Sequence, residues 1–309
     1  GMTTLPAWLA PRPFELNFSA QGLIEYTQEH TEIPIFAVAA YLGLVFWAPQ
    51  IIEKPFRLRG IFAFWNVFLA LFSCVGVTRT APTLLKTLQT QGFQYTVCTD
   101  PKEWYLEGPV GLWTGLFIYS KLPELMDTVF LVLQRKPVIF LHWFHHATVL
   151  LYCWHAFHNS IAPGLWFASM NFLVHSIMYS YYAVSIMGYS RFARPVAPLI
   201  TLLQLLQMVV GSSVTASSAH WHRAGVPCKV DPANYKLGLG MYLSYFILFA
   251  VLFYNNYLSP SAKHKKPRGG ANKSTKDAKE SETLCGVDAR SLEDSAGFFH
   301  GNNPKTKSA

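Results

Sequence analysis

Charge is scarce in this sequence. Of 309 residues only 25 are Lys or Arg and 17 are Asp or Glu, a charged fraction of 14%, where an ordinary soluble domain has roughly 25%. Together with 51% hydrophobic and 15% aromatic residues, that shortage excludes a typical soluble enzyme. The tail from 258 to 309 alone holds ten basic and six acidic residues, so the body is poorer still. No cleavable leader is expected either: residues 1–32 contain Arg12, Glu15, Glu25, Glu29 and Glu32 and no adequate apolar run, so the first apolar segment is expected to do the targeting. There are only five cysteines and no repeated halves.

What is present is a set of runs without Asp, Glu, Lys or Arg, at 33–52, 60–78, 108–120, 137–190, 195–222 and 237–262. A spanning helix needs about 20 apolar residues. The run at 137–190 is long enough for two, with a turn near Asn159, Ser160, Pro163 and Gly164, and the run at 108 spans if it continues through Lys121, Glu124 and Asp127 to Leu133. The expectation is an all-α polytopic membrane protein with seven transmembrane helices. It divides into an N-terminal segment (1–32), a membrane domain (33–258) and a disordered tail (259–309).

Orientation follows from the basic ends. One set of loops carries Lys54, Arg57, Arg59, Arg135, Lys136, Arg191, Arg194, Lys263, Lys265, Lys266 and Arg268 with Glu53 as its sole acid, and reads as cytosolic. The other set holds seven basic and eight acidic residues and faces the lumen, which places the N-terminus outside and the C-terminus inside. Cys98 and Cys228 both fall on the lumenal side, where a disulfide would persist; a bonded pair and two separate thiols both fit. Cys74 and Cys153 read as small apolar residues within helices, and Cys285 lies in the tail. The sequon at Asn17 is expected in the lumen and that at Asn272 in the cytosol. The lysines at 305–309 resemble a dilysine retrieval signal of the endoplasmic reticulum.

Polar groups gather in four consecutive helices. The third carries Lys121, Glu124, Asp127 and Thr128 at steps that share one helical face. Ionised groups cost about 2.5 to 3.5 kcal/mol each in a membrane helix, so they must face an interior and partner one another. The fourth carries His142, His145 and His146; the fifth Asn171, His175, Tyr179 and Tyr182; the sixth Thr201, Gln204 and Gln207. With alternating helix directions, all four clusters fall in the cytosolic half, where they can converge, with Arg135, Lys136, Arg191 and Arg194 just above and suited to phosphates.

Lys121-Leu-Pro-Glu124-Leu-Met-Asp127-Thr128, His142-Trp-Phe-His145-His146, His175-Ser-Ile-Met178-Tyr179-Ser-Tyr181-Tyr182 and Thr201-Leu-Leu-Gln204-Leu-Leu-Gln207 resemble, in order and spacing, the signature blocks of the ELO family of very-long-chain fatty acid elongases. The resemblance covers about residues 30 to 260. It implies a 3-oxoacyl-CoA synthase of the endoplasmic reticulum membrane that condenses a long-chain acyl-CoA with malonyl-CoA, releasing CoA and carbon dioxide. Helices 2–7 would enclose an acyl-chain tunnel. No cofactor or metal is implied; the partners are the two CoA thioesters, the bilayer and other enzymes of the elongation cycle, with no nucleic acid. Leu125 after Glu124 and Val174 before His175 resemble the branch acting on saturated and monounsaturated chains.

No cysteine lies in the polar cluster, which removes the Cys-His-Asn apparatus of thiolase-like enzymes and leaves histidine as nucleophile. A buried imidazole stays neutral and keeps a lone pair to attack a thioester. The family pattern puts this role on His145, with His146 or His142 orienting it. His175 and Asn171 would hold the thioester or enolate oxygen, Lys121, Glu124 and Asp127 would position the reactants, and Tyr179, Tyr182, Thr201, Gln204 and Gln207 would line the substrate. Two rival readings fit less well. A membrane di-iron oxygenase shares the HxxHH box but needs about eight histidine ligands, and His155 and His158 lie roughly 14 to 20 Å further along a helix. A seven-helix receptor or carrier does not account for histidines gathered on one side.

Overall fold

The computed structural model describes residues 10–259; the expectations placed on Asn272, Cys285 and the lysines at 305–309 lie outside the described residues. Among the described residues the chain is helical, with one isolated antiparallel bridge between Ser19 and Glu107. Short helices α1 (Pro13–Leu16) and α2 (Gln21–Glu29) precede α3 (Glu32–Ile51) and α4 (Arg59–Gln91). After the connector α5 (Phe93–Cys98) come α6 (Gly108–Ser120), α7 (Met126–Leu133) and α8 (Phe140–His158). Then follow α9 (Gly164–Val184), the one-turn α10 (Ser190–Ala193), α11 (Ala197–Arg223) and α12 (Pro232–Phe253).

Among the described residues, four helical stretches are long and apolar enough to cross a membrane: Glu32–Ile51, Arg59–Gln91, Gly164–Arg223 and Pro232–Leu258. The third contains two rods, α9 and α11. The chain turns between them through a π-helical segment in which Gly188 has φ +105°, a conformation that only glycine adopts without strain. Large apolar side chains such as Phe36, Trp47, Phe64 and Leu71 are more than half exposed on the outer faces, an arrangement that suits lipid and not water. The chain is an all-helical polytopic membrane protein.

The two remaining rods depart from a simple apolar span for visible reasons. The helix expected over 108–133 is broken: Lys121, Leu122 and Leu125 bond back three residues, to Ile118, Tyr119 and Leu122. Pro123, which lacks an N–H, opens a 3-10 turn over Pro123–Leu125. The helical spacing of the polar residues hides the break that the proline makes. α8 carries five histidines in its 19 residues, which lowers its apolar character without breaking it.

α4 also corrects a boundary. Its apolar run stops at Thr78, yet the helix continues through Arg79 to Gln91, because Arg79 is buried against a partner from α1. Arg79 Nε and Nη2 donate to the Glu15 carboxylate at 2.9 and 3.2 Å. The same carboxylate accepts from Trp113 Nε1 at 2.7 Å and from the Arg12 backbone N–H at 2.5 Å. Burial alone would raise the Glu15 pKa; these hydrogen bonds outweigh it and hold the carboxyl below its ordinary value. The N-terminal segment is thereby packed onto the bundle, with Ala20 and Ile24 in a core shared with Phe117, Phe157 and Phe172.

Neighbouring helices run in a ring. α4 packs on α9, α9 on α11, α11 on α12, and α12 on α8, while α6 touches α4, α8 and α9; α3 lies outside against α7 and α8. α4 meets α9 tightly at Gly76, where an added Cβ would lie 2.6 Å from the Phe172 ring, the small-residue packing typical of membrane helices. At one end, Asp231 caps α12 by accepting from the Asn234 N–H at 2.7 Å, with Pro232 at the first helical position. A Cys98–Cys228 disulfide ties α5 to the loop before α12. Cys153 is buried, whereas Cys74 is exposed on α4.

Candidate active site

The break between α6 and α7 brings the acidic motif inside. Lys121 and Glu124 are almost fully buried. Lys121 Nζ donates to both carboxylate oxygens of Glu124 at 2.9 and 3.2 Å and to Asn171 Oδ1 at 3.2 Å. It also lies 4.1 Å from the Phe117 ring centroid, and Glu124 accepts a further bond from Ser120 Oγ at 2.7 Å. The motif does not partner itself throughout, contrary to what its helical spacing suggests. Asp127 accepts instead from Trp65 Nε1 at 2.7 Å and Tyr179 OH at 2.8 Å. Thr128 Oγ1 bonds Tyr41 OH at 2.9 Å and His142 Nε2 at 2.8 Å. With the helix broken at Pro123, the residues after it take a new bearing and reach α3, α4, α8 and α9.

The histidines differ in what holds them. His142 is engaged by Thr128, and His175 Nε2 by the Asn171 amide nitrogen at 3.1 Å. His146 is buried, its ring 4.6 Å from His142 and 6.4 Å from Tyr41 between centroids. His145 stands perpendicular to His146 at 5.5 Å and 4.9 Å from the Tyr245 ring. Its backbone is fixed because Tyr245 OH donates to its carbonyl at 3.2 Å and shares a 2.6 Å bond with Thr148 Oγ1. Among the described residues, no side chain makes a hydrogen bond to either ring nitrogen of His145 or His146, and no three His, Cys, Asp or Glu side chains group as a metal site would need.

These groups meet at one cavity of about 480 Å³, within the size range of small-molecule sites. Asp127, His142, His145, His146, Asn171, His175, Tyr179, Tyr182, Thr201, Gln204 and Gln207 all line it, and Arg135 and Lys136 lie along it as well. Lys121 and Glu124 stand behind Asn171. Arg191 and Arg194 do not join them: they are exposed on α10 and the turn after it, outside the lining. Their loop folds back through the Gly188 turn, where Ile186 O accepts from Arg59 Nε at 2.6 Å. Arg135 adopts a left-handed φ of +53°, and its Nη1 donates to Glu53 O at 2.6 Å.

Several lining or supporting residues lie outside the four sequence blocks. Asn66 and Tyr257 line the cavity, while Trp65, Tyr41 and Tyr245 hold lining groups. Asn66, fully buried on α4 with its amide bonded to Phe62 O at 2.7 Å, is a lone amide within the apolar run 60–78, and that isolation is a signal legible in sequence. Tyr41, Trp65 and Tyr245 give no such signal, since aromatics are common in every helix of this chain.

Residues 26–265 match the ELO: GNS1/SUR4 family. The chain is 43% identical over 281 residues to Fatty acid elongase 3 of Trypanosoma brucei brucei, covering 82% of this chain and 93% of that protein. It is 44% identical over 269 residues to Very long chain fatty acid elongase 4 of Trypanosoma cruzi, covering 86% and 92%. Against Very long chain fatty acid elongase 6 of Drosophila melanogaster it is 39% identical over 267 residues, covering 84% and 82%. With the family matched over most of its length, the chain belongs to the ELO (GNS1/SUR4) family of very-long-chain fatty acid elongases, the 3-oxoacyl-CoA synthases that carry out the condensing step of elongation.

Proposed function

We propose that this elongase joins a long-chain acyl-CoA to malonyl-CoA through a covalent intermediate on His145. The observation that carries this is the unequal state of the four histidines: His142 and His175 are committed to hydrogen bonds and His146 is boxed in against His142 and Tyr41. His145 lines the cavity with its imidazole unengaged among the described residues and its backbone clamped by Tyr245. A nitrogen lone pair of His145 attacks the thioester carbonyl, the C–S bond breaks, and CoA leaves as a thiolate that takes up a proton. Malonyl-CoA then loses carbon dioxide; the electrons of the broken C–C bond form an enolate whose carbon attacks the acyl-imidazole, and the C–N bond breaks to restore His145.

Asn171 and His175, oriented by Lys121 and in turn by Glu124, are the donors for the developing oxyanion. Asp127, held by Trp65 and Tyr179, fixes Tyr179 at the cavity wall and acts as a positioning residue. Arg135 and Lys136 take the CoA phosphates; Arg191 and Arg194 have no such part in this reading. The protein crosses the endoplasmic reticulum membrane seven times, with the histidine end and the basic loops in the cytosol and Asn17 in the lumen. Helices α4 to α12 surround the acyl channel, and Val174 on its wall favours saturated and monounsaturated chains.

The test is incubation of purified protein with acyl-CoA alone. One equivalent of CoA should be released and the protein mass should rise by one acyl group; His145→Ala should lose both signals. If CoA appears only after malonyl-CoA is added, the two substrates condense directly and His145 is not the nucleophile. If no 3-oxo product forms with any acyl-CoA, the reading of substrates fails.

A further inference from the structure

One hydroxyl stands out on the helix that lies apart. α3 packs outside the ring, on α7 and α8, and exposes Ile35, Phe36 and Trp47. On its inner side Val38, Tyr41 and Val45 share a helical face and cluster with Leu125 and Ala147. Tyr41 is 3% exposed within this apolar seam, and its OH lies 2.9 Å from Thr128 Oγ1. Thr128, itself fully buried, has its Oγ1 2.8 Å from His142 Nε2. Three polar groups in a row thus join α3 to a ring on the cavity wall.

The number of protons fixes the direction of both bonds. Among the described residues neither hydroxyl has a further partner. If His142 Nε2 carried a hydrogen, three protons would share two bonds, and one buried hydroxyl would keep its proton unpaired, which is costly. If Nε2 is bare, the two hydroxyl protons serve the two bonds: Tyr41 donates to Thr128, and Thr128 donates to His142. The hydrogen of the imidazole then sits on Nδ1. That nitrogen has no partner among the described residues either, yet it is not closed off as a buried unpaired atom; on a ring that lines the cavity, it opens there.

We infer that Tyr41 and Thr128 hold His142 as the tautomer with its hydrogen on Nδ1, so that His142 offers the substrate a hydrogen-bond donor and no lone pair. Which atom the donor meets rests on the acyl-CoA reading given above: it is the thioester carbonyl oxygen, whose negative charge grows as the carbonyl is attacked. The in-plane lone pair of the ring is taken up by the Thr128 hydroxyl, so His142 serves neither as nucleophile nor as general base while the row is intact. Tyr41 and Thr128 are positioning residues. Through them α3, although outside the ring, has a part in the chemistry.

Nuclear magnetic resonance of the full chain in detergent, with 15N-labelled histidine, reads the tautomer directly, because a protonated ring nitrogen and a bare one differ widely in shift. His142 is identified by the signals lost in His142→Gln. In the wild type Nδ1 should be protonated and Nε2 bare; the reverse overturns the inference. Thr128→Val removes the hydroxyl at nearly constant volume. Both tautomers should then appear, with kcat about tenfold lower and KM for either thioester little changed. Thr128→Ser returns a hydroxyl and should recover most of that loss. Tyr41→Phe should move spectrum and kcat in the same direction by less, and it supplies the kinetic test if Thr128→Val does not fold. A wild-type spectrum and kcat in folded Thr128→Val overturn the whole row; in folded Tyr41→Phe they remove Tyr41 from it. If the wild type condenses no acyl-CoA, the reading of its substrates fails instead, and the spectrum still decides the tautomer.

Discussion

Two buried ion pairs in this molecule have the same chemistry and different surroundings. Arg79–Glu15 and Lys121–Glu124 each set a cation 2.9 Å from a carboxylate, with every side chain at most 6% exposed. Around the first, the carboxylate is saturated: Arg79, Trp113 and the Arg12 N–H take up its oxygens. It lies some 21 Å along α4 from Trp65, which marks the histidine end. Around the second, the bonds lead outward, from Glu124 to Lys121, from Lys121 to Asn171, and from Asn171 to His175 at the cavity wall. A pair whose bonds close on themselves locks the fold; a pair whose bonds pass on to groups facing empty space prepares a surface for a ligand.

The comparison is most severely tested by removing each cation. Lys121→Ala and Arg79→Ala both leave a buried carboxylate alone and should each cost about 3–5 kcal/mol of stability, read from thermal unfolding in detergent. Only Lys121→Ala should also slow turnover per folded molecule, by about 10²-fold or more. Equal losses of turnover would break the distinction between the two ends.

A smaller effect is expected from the disulfide. Cys98 and Cys228 are 130 residues apart, and serine at both positions should cost about 2–5 kcal/mol. Condensation by the molecules that remain folded should be unchanged, since neither cysteine lines the cavity. Loss of turnover in proportion beyond the loss of folded protein would show that the two ends are coupled.

The smallest effect is one of pH. The folded-state pKa of Glu15 is depressed, so its contribution to stability is complete above its ordinary value of 4.5 and drains away as pH falls through the lower folded value. Unfolding temperatures of wild-type and Glu15→Gln protein should therefore differ most near neutrality and converge as pH falls from about 5 toward about 3. A gap that stays constant with pH would mean that the Glu15 carboxylate is not what Arg79 requires.

The same contrast separates what is legible in the sequence from what is not. The histidine end announces itself, because polar residues at helical spacing inside apolar runs are costly in a membrane unless they face an interior, and His142, His145, His175, Asn171 and Gln204 do meet at one cavity. The other end is silent. Arg79 looks like the limit of a helix because its partner, Glu15, lies 64 residues earlier, and no local pattern links them. Pro123 hides among polar steps that are helical in number. Arg191 and Arg194 resemble Arg135 and Lys136 in charge alone, which says which side of a membrane a loop occupies but not which way its side chains lie. Aromatic supports such as Trp65 and Tyr245 do not stand out in a chain with aromatics in every helix.

The Cys98–Cys228 bond imposes a rule of parity. Two thiols can join only in one compartment, so the number of membrane crossings between them must be even. Between them the chain passes through α6 with α7, then α8, α9 and α11. If the long apolar rods α9 and α11 each cross, α6–α7 and α8 must cross together or not at all. Cys228 follows Cys98 by 130 residues, so the bond can form only after the whole of α6 to α11 has been made. A molecule that mis-threads any one of these segments keeps both thiols, and so carries a chemical mark of its error.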